Sequence, residues 1–164
     1  FHLEDGSRLI LRPSGTEPKA KLYVEVHGQP TESDEVLEEQ RKELKERARG
    51  YSVAFLQEAL GRIGISVPEF ALNLSDLVSI DNKERFGSTL FPAFLEEAEQ
   101  AVKNGADTEA LKEMLLSRLD GVGSNPDALV APALANYVRN EDARAQTDAA
   151  LWSALEALSA ALQG

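Results

Sequence analysis

The stretch Arg12-Pro-Ser-Gly-Thr-Glu-Pro-Lys19 limits the fold of this chain more than any other segment. Pro13 and Pro18 stiffen it, and Ser14, Gly15 and Thr16 are residues that turns favour. Strand-like runs flank it on both sides. Leu9-Ile10-Leu11 comes before, and Ala20-Lys21-Leu22-Tyr23-Val24-Glu25-Val26 comes after. In the second run Leu22, Val24 and Val26 alternate with Lys21, Tyr23 and Glu25, the pattern of a half-buried strand. The octapeptide therefore reads as a loop between antiparallel strands. An earlier turn is marked by Asp5-Gly6, because glycine adopts a positive φ at no steric cost. Before it, Phe1 and Leu3 alternate with His2 and Glu4. Three consecutive antiparallel strands are predicted within residues 1–26.

Gly28 and Pro30 end the strand region. Thr31 or Ser33 offers a helix N-cap, and Glu32, Asp34 and Glu35 suit the positive end of a helix dipole. Leu37, Leu44 and Tyr51 recur at helical spacing, with Ala48 and Phe55 on the same face. One long helix, or two broken near Gly50, is predicted to run to about Arg62. From Gly61 onward the chain is rich in Ala, Leu and Glu. Helices are predicted over roughly 69–80, 88–104, 107–119, 126–139 and 141–163. Pro92 and Pro132 fall in first turns or kinks, and Gly105 and Gly121 read as helix stops. In the last helix Ala150, Leu151, Ala154, Leu155, Leu158, Ala161 and Leu162 form one apolar stripe. The fold class is α+β: a short antiparallel sheet of about three strands with a helix, followed by an α-helical C-terminal extension. The domains read as 1–62 and 63–164.

Composition excludes several functions. There is no cysteine, so disulfides and thiolate metal sites are ruled out. No apolar run reaches the roughly 18 residues that a membrane span needs. The net charge of −11 argues against general nucleic-acid binding. That charge lies entirely in residues 28–164, while residues 1–27 balance Arg8, Arg12, Lys19 and Lys21 against Glu4, Asp5, Glu17 and Glu25. An anion site in such a chain relies on local contacts rather than a long-range field.

The octapeptide has the composition of such a site. A phosphate dianion needs several donors converging from fixed directions. Arg12 offers a two-pronged fork with charge-assisted bonds. Ser14 and Thr16 add hydroxyl donors, Gly15 lets backbone come close, and Lys19 or Lys21 supplies a second positive charge. Pro13 and Pro18 reduce the entropy lost when the loop orders. The same residues also make an ordinary inter-strand turn, and composition alone leaves both readings open.

Arg12 to Lys19, continued by Ala20-Lys-Leu-Tyr-Val-Glu-Val26, resembles the phosphate-binding loop of the α-D-phosphohexomutases, the phosphoglucomutases, phosphomannomutases and their relatives. The Glu4-Asp5-Gly6-Ser7 turn is similar as well. The resemblance covers residues 1–27 closely and extends into the helix to about 50. It implies the fourth, C-terminal domain of such an enzyme, where this loop grips the substrate phosphate that is not being transferred. By that resemblance Arg12, Ser14, Gly15 and Thr16 contact the phosphate, and Lys21 occupies a position that is often basic. Pro13, Glu17, Pro18 and Lys19 shape the loop.

The chain lacks the family's serine loop, its Asp-Gly-Asp-x-Asp loop for Mg²⁺ and its Gly-Glu-x-Ser-Gly sugar loop. Catalysis and Mg²⁺ are therefore expected of the parent's remaining domains, with no cofactor in this chain. A cytoplasmic location is the corresponding expectation. Phe1 stands where a methionine would open a gene product, so the chain reads as a piece of a longer protein. The expected partners are a sugar phosphate and those other domains, with neither nucleic acid nor membrane. Residues 63–164 depart from the family, which ends soon after this helix. Their apolar stripes give the alternative reading: a non-catalytic helical interaction or oligomerisation module carrying an anion-binding loop. His2 and His27 read as surface residues and Trp152 as a packing residue. The Arg41 to Arg49 cluster, interleaved with glutamates, reads as a solvated helix face.

Overall fold

Two strands and a long helix make the first part of the chain in a computed structural model that describes residues 1–16, 20–31, 33–119 and 124–163. The chain divides into two units, Phe1–Arg62 and Ile63–Gly164. In the first, β1 (Arg8–Pro13) pairs antiparallel with β2 (Ala20–Glu25). The register sets Leu9 against Val24, Ile10 against Tyr23, Leu11 against Leu22 and Arg12 against Lys21. Side chains alternate across the ladder, so Leu9 is buried while Ile10 is exposed.

The predicted first strand is reduced to a single bridge, His2 to Arg8. Phe1 and Leu9 exchange backbone hydrogen bonds, Phe1 N to Leu9 O at 2.8 Å and Leu9 N to Phe1 O at 3.0 Å. The ladder stops there because the turn already begins at Leu3, whose carbonyl accepts from Gly6 N and whose N–H donates to Ser7 O. Gly6 takes φ 84°, the left-handed value that closes a three-residue hairpin loop. Asp5 locks the loop by accepting from both the N–H and the hydroxyl of Ser7 at 2.9 Å.

Helix α1 (Asp34–Arg62) is continuous and passes through Gly50 without a break. Ser33 O accepts from Leu37 N, and Thr31 Oγ1 accepts from Ser33 N just before the helix. Only Val53 and Leu60 are buried along α1 among the described residues. The solvent face carries ion pairs at helical spacing, Arg41–Glu38, Arg47–Glu43 and Arg62–Glu58, the arrangement anticipated for the basic cluster. The helix packs on β2 and is tied to the first turn by Tyr51, whose hydroxyl donates to Asp5 Oδ2 at 2.7 Å. Phe55 meets Phe1 with ring centroids 6.0 Å apart. At Gly28 a Cβ would lie 2.8 Å from Gln40 Oε1 and 2.9 Å from Leu44 Cδ1, so glycine lets the chain pass close to α1.

The second unit is helical: α2 (Glu69–Leu72), α3 (Ile80–Arg85), a π-helical turn (Phe86–Leu90), α4 (Phe91–Lys103), α5 (Thr108–Ser117), α6 (Pro126–Tyr137), α7 (Glu141–Gln146) and α8 (Ala149–Gln163). The expected helix over 69–80 stops at Leu72. Chain direction changes there, and Ser79 starts α3 by accepting from Asn82 N. Buried Lys83 holds this corner by donating to Leu72 O at 3.0 Å and Leu74 O at 2.8 Å. From Ile80 the helix continues through the π turn into α4, earlier than the predicted start at 88. Pro92 has no N–H for a regular helical bond, and the wider turn, with Phe91 N bonded to Phe86 O, accommodates its ring. The expected single helix over 141–163 is divided at Thr147-Asp148. Asp148 Oδ1 accepts from Ala150 N and Leu151 N and so begins α8 afresh.

The core of this unit is aromatic. Phe70, Phe86, Phe91, Phe94, Tyr137 and Trp152 are linked by ring contacts, with Phe91 and Tyr137 centroids 4.7 Å apart. Trp152 is buried, as its packing role requires, and its Nε1 donates to Glu156 Oε1 at 2.9 Å. The buried stripe of α8 is Leu151, Trp152, Leu155, Leu158, Ser159 and Leu162, with Ala150 and Ala161 exposed. The predicted stripe is thus rotated towards the tryptophan. Pro132 lies inside α6. Gly105 takes φ 85° after α4, as a helix stop does. Gly121 lies outside the described residues.

Candidate functional site

The hairpin presents four kinds of chemistry in successive rows on one face. Residues paired across an antiparallel ladder point the same way, and residues two apart along a strand share that face. Arg8 and Glu25 form the first row and are ion-paired, with Arg8 Nε 2.8 Å from Glu25 Oε2. Ile10 and Tyr23 form the second row, exposed at 40% and 46%. Arg12 and Lys21 form the third, two cations directly opposite each other. Beyond them lies the loop with Ser14, Gly15 and Thr16.

Strand geometry explains how the cations come to face one another. Pro13 ends β1 and pairs with Ala20, which fixes the register at the mouth of the loop. Proline is tolerated there because an end position need not donate to the ladder. Opposed like charges destabilise a strand pair. Among the described residues, neither Arg12 nor Lys21 has a carboxylate within ion-pair distance. Their charge is available to an outside anion.

Arg12, Pro13, Ser14, Gly15, Thr16, Lys21 and Tyr23 line one shallow concavity of about 250 Å³. The five residues singled out as phosphate contacts are therefore brought together. Ser14 is half-buried, while Arg12, Gly15, Thr16 and Lys21 are exposed. A Cβ at Gly15 would meet nothing within 4 Å, so the loop backbone is open to a ligand at that point. Glu17, Pro18 and Lys19, named as loop-shaping residues, lie outside the described residues. Tyr23 is the member that sequence reading passed over. Its position two residues after Lys21 was the available signal, because that spacing puts both side chains on one face.

The loop's donors are cations and hydroxyls, which suit an anion and not a metal ion. Among the described residues, no three His, Cys, Asp or Glu side chains gather as a metal site would need. His2 and His27 are both exposed. The hydrogen-bonded cluster at the other end of the hairpin is structural. Tyr51, together with the N–H and hydroxyl of Ser7, holds the Asp5 carboxyl below its ordinary pKa. The bond to Asp5 in turn pushes the Tyr51 phenol above its ordinary value. A second concavity, of about 330 Å³, lies in the helical unit between Arg144, Thr147, Ala149, Trp152, Ser153 and Glu156. No described helix is long and apolar enough to cross a membrane.

Residues 1–47 match the sequence model of the phosphoglucomutase/phosphomannomutase C-terminal domain. A probable phosphomannomutase of Haemophilus influenzae is 58% identical over 40 residues, which are 24% of this chain and 8% of that protein. The chain thus spans only a small part of the length of this curated relative. No solved structure matches the chain. Residues 1–47 are accordingly similar to the phosphoglucomutase/phosphomannomutase C-terminal domain.

Proposed function

We propose that the Phe1–Arg62 unit is the phosphate grip of a phosphosugar mutase that interconverts hexose 1-phosphate and 6-phosphate. The observation that carries this reading is the cross-strand pair Arg12 and Lys21, held face to face without a carboxylate partner among the described residues. A phosphate dianion between them relieves their repulsion and gains charge-assisted hydrogen bonds from both. Ser14 and Thr16 donate hydroxyl hydrogens to the remaining oxygens, and Gly15 keeps the backbone accessible.

In such an enzyme an enzyme-bound phosphoryl group passes to the sugar monophosphate and a bisphosphorylated sugar forms. The intermediate turns over, and its other phosphoryl group is returned. In each orientation one phosphate stays away from the reacting end, and the loop holds that one. Binding energy at this remote group is then available to orient the reacting end. The phosphoryl-bearing serine and Mg²⁺ belong, in this proposal, to other domains of the parent enzyme. The loop's donor set does not fit Mg²⁺, so no step is assigned to a metal here. A cytoplasmic setting and a sugar phosphate substrate follow from the same reading. The helical unit carries no part of it. The apolar stripe of α8, one of the stripes behind the interaction-module reading, is buried in that unit's own core.

The test is a chemical-shift titration of the whole chain with inorganic phosphate, with Arg12→Ala beside the native sequence. Loss of one charged hydrogen-bonding partner corresponds to a drop in affinity on the order of 10- to 100-fold. Unchanged affinity in Arg12→Ala would overturn the proposal.

A further inference from the structure

The outer face of the hairpin is built for more than a bare anion. Next to the Arg12–Lys21 row stands an apolar row, Ile10 and Tyr23, with both side chains exposed although they are large and hydrophobic. Tyr23 also lines the same concavity as the cations and hydroxyls. Adjacent rows on one face are about 7 Å apart, since each residue advances roughly 3.4 Å. An oxygen-bound carbon skeleton extending from a phosphate held at Arg12 and Lys21 therefore reaches the Tyr23 ring. Among the described residues the phenol oxygen of Tyr23 has no hydrogen-bond partner. Tyr23 thus offers a ring face for C–H groups and a free hydroxyl for an alcohol, the two features of a sugar. The next row, Arg8 and Glu25, is already engaged in its own ion pair and adds a polar border.

Building on the phosphate reading above, we infer that Tyr23 is a positioning residue that recognises the sugar skeleton attached to the phosphate. The site then selects a phosphate monoester of a polyol over inorganic phosphate, with the charge read by Arg12 and Lys21 and the carbon side read by Tyr23. Ile10 stands directly across the ladder from Tyr23, on the same face.

The experiment compares glucose 6-phosphate with inorganic phosphate in chemical-shift titrations of the whole chain, for the native sequence, Tyr23→Ala and Tyr23→Phe. The native chain is expected to prefer the sugar phosphate. Tyr23→Ala should weaken glucose 6-phosphate binding roughly threefold to tenfold more than it weakens inorganic phosphate. Tyr23→Phe keeps the strand and the ring, so it reports the hydroxyl separately and is expected to lose only part of the preference. Equal weakening of both ligands by Tyr23→Ala overturns the inference, because the residue would then only shape the loop. No change for either ligand overturns it as well. A native chain that binds neither ligand overturns the phosphate reading itself, whatever the variants do.

Discussion

Replacing Lys21 by glutamine should move stability and binding in opposite directions. Lys21 stands directly opposite Arg12 in the ladder. Cross-strand pairs of charges contribute about 0.2–1 kcal/mol, and like charges contribute with an unfavourable sign. Both side chains are exposed, so solvent screening keeps the effect towards the lower end of that range. Lys21→Gln removes the repulsion and should stabilise the ligand-free hairpin by a few tenths of a kcal/mol, about 0.2–0.5. The gain should shrink when salt is raised to about 1 M, where the Debye length is about 3 Å. The same substitution removes a charged donor, so affinity for inorganic phosphate should fall roughly tenfold or more. Hydrogen exchange of the β1 and β2 amides reads the stability, and a phosphate titration reads the binding. Trp152 is buried in the other unit, and its fluorescence serves as an internal control that should not change. Two results refute the reasoning: a hairpin that exchanges faster in Lys21→Gln at low salt, or phosphate affinity equal to the native chain's. Either one means that the two cations are not held against each other for an anion.

Other outcomes follow from the packing. Asp5 is held below its ordinary pKa chiefly by the Tyr51 hydroxyl, so its contribution to stability is present above the unfolded-state value and is lost as pH falls through the folded one. Acid titration of α1 helicity should therefore show an acid-limb destabilisation that Asp5→Asn abolishes. Tyr51 is shifted up, so stability is lost as pH rises through its folded value, and Tyr51→Phe should remove that alkaline limb. Two glycines should respond with opposite signs. Gly50 is inside α1 with nothing within 4 Å of a built Cβ, and Gly50→Ala should stabilise the first unit by about 0.5–1 kcal/mol in thermal unfolding. At Gly87 a Cβ would lie 2.8 Å from Ala71 Cβ and 2.8 Å from Pro68 Cδ. These atoms are fixed by the core, so Gly87→Ala should destabilise the second unit by about 1–3 kcal/mol, read by Trp152 fluorescence.

Local rules made the hairpin legible. Alternation along β2 and the Asp5-Gly6 turn are short-range signals, and the structure contains both. The first strand shrank to a bridge because its turn begins at Leu3, leaving too few residues to pair. Helix content in 63–164 was legible from periodicity, but the breaks were not. Ser79 and Asp148 are N-cap residues visible in the sequence, but each fell inside a segment read as one helix, 69–80 and 141–163. Capping won, because a side chain satisfying otherwise unpaired N–H groups makes a restart favourable. The π turn was illegible, since it arises where Pro92 meets a preceding turn that Gly87 lets pack tightly on Pro68 and Ala71. At the site, Arg12 and Lys21 were identified singly by chemistry. Their opposition is a property of register, which no spacing between them reveals, and so is the place of Tyr23 beside them.

The unbroken course of α1 bears on where the mutase-like segment ends as a physical object. The sequence match stops at residue 47, midway along a helix that continues to Arg62. Several contacts that tie the first turn to the helix lie past that point: Tyr51 on Asp5 and Phe55 on Phe1, with Val53 and Leu60 buried. Trimming the polypeptide at the edge of the match would sever the mast from its stays. Exchange of this module between proteins would therefore have to carry the later half of α1 along as cargo. The matched segment and the helix it enters end about four helical turns apart.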